Sequence, residues 1–402
     1  MGLASHHQTT DAKSKAEYVT KPREGRNVYC NGDRQFRLIR SVDIDDKRIL
    51  RMDEYSAANA FVNGELTVQG DLCAAIRFVR QQKTPVVRQL WFSLVSGLTQ
   101  LIDSLLNGRN ATARNIRFHY DRSNAFYRQF LDSRMLYSAG HFSHPGCSLE
   151  EAQIEKLDCI CQHLSLRRDE RFLDVGCGWG ALVVHAAERF GAQATGCTLS
   201  RAQLEFARAV VRDHGLDGRV TIEETDYRDL QGCFDKIASV GMFEHVGRRH
   251  LSEYFRKIHS LLADGGVFLN RGIVRPESVL VGPATLFLQR SVFPGGELAH
   301  LADVVHEAER AGFEVLDMED LRRDYALTCR AWVAKLLENA ETCRTLVGDV
   351  TYRTWLLYLA ASAVSFEDGE TDAAQITFEK HGRPRFREPN PTLSAELDRH
   401  SI

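Results

Sequence analysis

The sequence predicts an α/β protein: an open, mostly parallel sheet with helices on both faces, preceded by a small α+β domain. Three observations carry this. An apolar strand pattern (Phe172, Leu173, Val175) runs into glycines at alternate positions, Gly176, Gly178 and Gly180, and then into a helical stretch over 181–190. A second strand, 194–198, arrives about 20 residues after the first, the spacing of a βαβ unit. Further strand patterns at 220–223, 236–240 and 266–270 alternate with helical ones, which places a ligand at the carboxyl ends of the strands.

The elements follow in order. Residues 1–30 are polar and read as a loose tail, without the apolar core of a signal peptide. Residues 31–110 form the small domain, with strands near 37–42 and 65–68 and the Asn63-Gly64 pair between them as a turn. The stretch 86–106 has apolar residues at helical spacing, including Leu90, Trp91, Leu94, Leu98, Leu101 and Leu105. It lies in a segment, 77–128, with nine Lys or Arg residues and two acids, a net +7. Such a helix either faces the core or meets anionic lipid headgroups, where each basic residue contributes about 1 kcal/mol. Residues 111–385 form the main domain, with Ser200 capping a helix over 201–211, and 386–402 a second tail.

Composition sets bounds. The 402 residues are 44% hydrophobic and 26% charged with a net charge of −3, the balance of a globular chain and not of a disordered one. Nothing in that balance demands nucleic acid. Ten cysteines without a CxxC pair are too dilute for a disulfide framework and offer no metal motif; no metal is expected. No apolar run reaches the ~18–20 residues of a membrane span. The expected compartment is the cytoplasm.

The glycine loop carries the first chemical signal. Glycines remove side chains where backbone must approach a ligand and turn sharply into a helix. The spacing is GxGxG, not the GxGxxG of dinucleotide folds, and Asp174 sits inside the strand end. Together with the later motifs this favours S-adenosylmethionine over NAD. The end of the second strand offers Cys197, Thr198 and Leu199 where a ribose-binding acid is usual.

Those motifs are His119-Tyr120-Asp121, Tyr137-Ser138, Leu149 to Gln153, Asp174 to Gly180, Thr198 to Ser200 with Gln203, Asp226 to Leu230, Ser239 to Gly247, Phe293 to Gly296 and Asp324-Tyr325. In order and spacing the chain resembles the cyclopropane-fatty-acyl-phospholipid synthase family, which includes the mycolic acid cyclopropane synthases, over residues 110–380. The resemblance implies a Rossmann-like class I methyltransferase sheet. It also implies transfer of the methyl of S-adenosylmethionine to the double bond of an unsaturated phospholipid acyl chain, with a bound bicarbonate taking the proton as the ring closes. Tyr137, Ser138, Gly176, Thr198, Leu199 and Gln203 match residues that hold the cofactor, beside Asp174, Gly178 and Gly180 of the loop. Asp226 and Tyr227 fall where the adenine is bracketed. Glu244 matches the carboxylate that orients bicarbonate, and Tyr325 the tyrosine that hydrogen-bonds it. His245 reads as structural, and Trp179 as either a core plug or a cofactor contact. The resemblance further implies peripheral association with the inner face of the membrane, and related enzymes make a homodimer an expectation.

Three positions depart from the family pattern. A cysteine is replaced by Ala139, a histidine after the fifth strand by Asn270 or Arg271 depending on a one-residue shift, and a further cysteine by Ser362. Arg271, turned inward, would hold an anion with a permanent charge and up to five donors, so it joins Glu244 and Tyr325 as a catalytic candidate. Methyl transfer is expected to be intact; the fate of the resulting cation is open. The first expectation is a cyclopropane, and the alternative a methyl-branched or methylated unsaturated chain. A non-catalytic lipid-binding protein and a soluble natural-product methyltransferase are the readings from other classes.

Overall fold

The computed structural model describes residues 18–19, 26–31, 34–40, 52–81, 123–279, 287, 292 and 297–381. The expected helix at 86–106 and the motifs at 119–121 and 293–296 lie outside these residues.

The small domain is a four-stranded antiparallel sheet in sequence order: β1 (Tyr18–Val19), β2 (Arg26–Asn31), β3 (Arg34–Arg40) and β4 (Leu66–Gly70). It therefore begins inside the stretch expected to be a loose tail. Phe36 and Leu38 are buried while Arg37 between them is exposed, the period of two that puts one face on a core. Helices α1 (Glu54–Val62) and α2 (Leu72–Gln81) cover that face through Ala60, Ala74, Ala75 and Phe78. The Asn63-Gly64 pair is not a hairpin turn. Asp53 caps α1, Asn63 is its C-cap, and Gly64 at φ +77° lets the chain leave the helix. The pair ends a helix that the sequence reading left out.

The main domain is a seven-stranded sheet. In chain order its elements are a short α3 (Asn124–Tyr127), α4 (Leu149–His163), β5 (Arg171–Val175), α5 (Ala181–Phe190), β6 (Gln193–Thr198), α6 (Arg201–Asp213), β7 (Val220–Glu224) and β8 (Phe234–Val240). Then come α7 (Leu251–Leu261), β9 (Leu262–Val274), α8 (Leu301–Arg310), β10 (Phe313–Asp320), α9 (Arg322–Glu338), α10 (Ala340–Val347), α11 (Asp349–Glu367) and β11 (Asp372–Lys380). The strand order is β10-β11-β9-β8-β5-β6-β7. Strands β5 to β9 are parallel, and β11 runs antiparallel to both neighbours.

Residues 172–175 of β5 are all buried, Asp174 included, as in a strand covered on both faces. One face packs on α4, α5 and α6 through Leu157, Ile160, Val183 and Leu204; the other packs on α7 and α8 through Phe255, Ile258 and Val304. Strand β9 is longer than expected and contains both Asn270 and Arg271, whose side chains must point to opposite faces.

A third core, rich in aromatic side chains, gathers α3, α9 and α11. The small domain docks on it through α2, which lies along α11. Arg77 pairs with Glu367 and Asp368, Arg80 with Glu370, and Arg330 with Glu367. Two cations of the basic segment are thus held by protein acids. Among the described residues no helix is long and apolar enough to cross a membrane.

Candidate active site

The chain leaves β5 towards β6 on one side and reaches β8 on the other, so the sheet reverses its winding at the end of β5. The glycine loop lies there. Its entry is fixed by the amides of Gly176 and Cys177, which both donate to the Cys197 carbonyl at the end of β6 (3.1 and 2.9 Å). Gly178, at φ +54°, has open space where a side chain would stand. Gly180, at φ +89°, starts α5, and a Cβ there would sit 2.9 Å from Ala207 Cβ, so its role is to let α6 approach.

A cavity of about 350 Å³ opens over this loop. Tyr137, Ser138, Asp174, Gly176, Gly178, Thr198, Leu199, Gln203, Asp226 and Tyr227 all line it. Of the residues expected to bind cofactor, Gly180 alone stands behind the wall. Thr198 Oγ1 donates to Gln203 Oε1 (2.8 Å) and accepts from the Ser200 amide (3.2 Å), which sets both side chains at the end of β6. Asp226 is clamped by the Arg228 guanidinium at 2.8 and 2.5 Å, and Tyr227 rests edge-on against Tyr254. Trp179 packs on Tyr127 at 5.0 Å, donates to Asn124 Oδ1 (2.9 Å) and lines the cavity. His245 is on the wall as well, and burial pushes its pKa down to about 4, so the imidazole there is neutral.

Helix α4 contributes Lys156, Leu157 and Ile160 to the cavity wall. A capping box between Ser148 and Glu151 starts this helix. Its buried face carries two polar residues one turn apart, Gln153 and Lys156. Gln153 Nε2 donates to the Ser138 carbonyl (2.9 Å) and Lys156 Nζ to Ser138 Oγ (2.8 Å). Sequence reading missed both roles, although polar residues on a stripe with Leu157 and Ile160 were the available signal. Burial pushes the Asp174 carboxyl up to about 7 against the pull of Lys156, and its Oδ1 is buried without a partner. Lys156 is pushed down to about 7 by burial and by Arg271, while Asp132 and Asp174 act the other way.

Glu244, Arg271 and Tyr325 do not line this cavity; Arg271 stands behind the 137–140 loop, and Tyr325 is near enough to both Arg271 and Glu244 to feel their charges. Glu244 sits on a 3₁₀ turn, Phe243–His245. Its Oε1 accepts from the Ile273 amide (2.8 Å), while Oε2 is shut off from solvent without a partner. Burial raises its pKa to about 7. Arg271 is 1% exposed. Its terminal nitrogens donate to the carbonyls of Ala139 (3.1 Å) and Gly140 (3.3 Å) and to Gln375 Oε1 (3.0 Å), and Nε is left unpaired. Asn270 faces the other way and accepts from the Tyr254 hydroxyl (2.9 Å). Of the two, Arg271 is the residue that faces the 137–140 loop, from inside β9. Tyr325 is buried and stacks on Phe366 at 4.8 Å; burial and the Glu244 carboxylate both keep its hydroxyl protonated.

Around this group stand Tyr137, Trp332, Trp355, Phe130 and Tyr358. Tyr137 lies 5.1 Å from Trp332 ring to ring, and its hydroxyl is 3.4 Å from that of Tyr358. Ser362, at the place of the family's second cysteine, hydrogen-bonds Tyr358. Aromatic faces with no cation of their own tolerate transient positive charge, and the burial excludes water.

The strand order, the glycine loop at the point of reversal and the cavity above it define a class I methyltransferase that uses S-adenosylmethionine. Its residues fit that molecule: the glycine loop leaves backbone room, and Asp174 Oδ1 waits for a donor. The model of the mycolic acid cyclopropane synthetase family matches residues 108–376, and the chain belongs to that family. It is 38% identical over 334 residues to a probable fatty acid methyltransferase of Pseudomonas putida, covering 79% of this chain and 80% of that one. A probable fatty acid methyltransferase of Mycobacterium tuberculosis is 38% identical over 269 residues, 67% of this chain and 63% of that longer protein. Among solved structures, mycolic acid cyclopropane synthase CmaA1 complexed with SAH and CTAB superposes with a TM-score of 0.64 at 32% identity, covering 67% of this chain and 98% of that one.

Proposed function

We propose that this enzyme methylates the cis double bond of an unsaturated phospholipid acyl chain at a membrane surface and closes a cyclopropane ring. The observation that carries the reading is the buried, unpartnered Oε2 of Glu244, whose carboxylate acts on the Tyr325 and Tyr358 hydroxyls of the aromatic wall. S-adenosylmethionine supplies an electrophilic methyl on a sulfonium. The alkene π pair forms the new C–C bond as the C–S bond breaks, and positive charge is left on the neighbouring acyl carbon. The aromatic wall keeps water from that carbon. A proton must then leave the new methyl so that its electron pair closes the ring, and Glu244 Oε2 is an acceptor poised near neutrality. A bicarbonate fits the same group of residues: Glu244 Oε2 would accept from its hydroxyl, while Arg271 Nε and the Tyr325 hydroxyl would donate to its oxygens.

A second reading rests on Ala139 and Arg271. Alanine offers no side-chain donor, and Arg271 spends its terminal nitrogens on carbonyls and Gln375. Loss of a chain proton instead of a methyl proton would leave a methyl-branched alkene.

Expression in a bacterial host lacking its own cyclopropane synthase, followed by mass spectrometry of the fatty acids, separates the outcomes. A species heavier by one methylene that survives mild hydrogenation supports the ring. One that takes up hydrogen under the same treatment establishes the second reading, and an unchanged profile with folded protein overturns both. Sedimentation with phosphatidylglycerol vesicles tests the membrane part: binding that falls with added salt is expected, and no binding refutes it.

A further inference from the structure

Lys156 is a buried amine in a place where its charged form ordinarily demands a partner. It is 1% exposed and lines the cavity. Its ammonium has three donors, and its one hydrogen bond goes to a neutral oxygen, Ser138 Oγ, at 2.8 Å. No carboxylate lies within ion-pair distance of it among the described residues; Asp132 and Asp174 act on it only at longer range. A buried charge without a counter-charge is strongly unfavourable, and a long apolar residue would fill the same space between Ala152, Leu157 and Ile160 at no such cost. Asp174, also on the cavity wall and 3% exposed, shows the complementary deficit, an oxygen with no donor. The cavity wall therefore carries an amine whose charged form lacks a close anion and a carboxyl oxygen that lacks a donor. That is the imprint of a zwitterion, and the α-amino-acid end of the cofactor is one.

We propose that Lys156 is a cofactor-binding residue that recognises the α-carboxylate of S-adenosylmethionine, with its ammonium aimed by Ser138 Oγ. The same charge keeps the Ser138 hydroxyl polarised, so the two act as one unit on the carboxylate. This inference depends on the cofactor and not on the lipid, so it stands or falls separately from the ring-forming reading.

The test is equilibrium binding by calorimetry, without turnover, of two ligands: S-adenosylhomocysteine and its analogue lacking the carboxylate. The wild-type chain is expected to prefer the first by tenfold or more; equal affinities overturn the proposal before any variant is made. Lys156→Met is expected to weaken S-adenosylhomocysteine at least tenfold while changing the analogue less than threefold. A parallel loss of both ligands would mean a structural lysine, and no loss an idle one; either result overturns the proposal. If Lys156→Met does not fold, Lys156→Gln keeps a donor to Ser138 Oγ and removes only the charge, and the same selective loss is required of it.

Discussion

Glu244 shows how one side chain can trade stability for chemistry. Burial raises its pKa to about 7, so the fold favours the protonated form. Activity that needs the carboxylate should therefore rise with pH through about 7. Stability moves the other way, because the fold binds a proton the unfolded chain releases at the ordinary value of 4.5, and this contribution is lost as pH climbs from there through about 7. Glu244→Gln is accordingly expected to lower turnover by roughly 10²-fold or more, the scale of a lost proton acceptor, with S-adenosylhomocysteine binding unchanged. It should melt higher than wild type at pH 8 and equally at pH 4; thermal scans at the two pH values check this. At this scale the glycine loop was legible because glycines at alternate positions after an apolar strand have few other uses. Lys156 and the choice between Asn270 and Arg271 were not. Which face a strand residue takes, and whether a lysine on an apolar stripe is aimed inward, depend on neighbours 18 to 132 residues away in the chain.

Elements position these groups by a few specific contacts. The 137–142 loop is held by Gln153 and Lys156 from α4, by Thr328 Oγ1 on the Gly140 amide (3.0 Å) and by Asp324 on the Phe142 amide (3.1 Å). Helix α4 depends in turn on its capping box, and Ser148→Ala should cost about 1 kcal/mol in urea unfolding. In β9, Gly272 sits where a Cβ would lie 2.6 Å from Glu244 Oε1. Gly272→Ala is expected to displace the carboxylate and reduce turnover at least tenfold while leaving cofactor affinity within threefold, as measured by kinetics beside calorimetry. The alternating strands and helices of the main sheet were readable because buried parallel strands are continuously apolar and their helices amphipathic. The small domain was not, because α1 is short and its closing Asn-Gly pair is the same signal that closes a hairpin.

Over the whole molecule the small domain is tied to the catalytic core by charge. Glu367 serves both Arg77 of α2 and Arg330 of α9. These groups are about a quarter exposed, so Glu367→Gln should cost only about 1 kcal/mol. The loss should shrink when unfolding is repeated in about 1 M salt; a salt-independent loss would mean packing, not charge, makes the joint.

The placement of β11 sets a timetable for assembly. It lies between β9 and β10, yet it is synthesised after both. While the ribosome is still making α9 to α11, β9 has an open edge, β10 has no neighbour, and Arg271 lacks the Gln375 oxygen that will receive it. The parallel half of the sheet can form early, but the pocket around Arg271 is completed only when residues 372–380 slot between two waiting strands. A nascent chain stalled before Asp372 would present an unpaired strand edge to its neighbours. Such a chain is more exposed to aggregation than to proteolysis of a finished fold, and an exogenous peptide of the β11 sequence is the natural rescue.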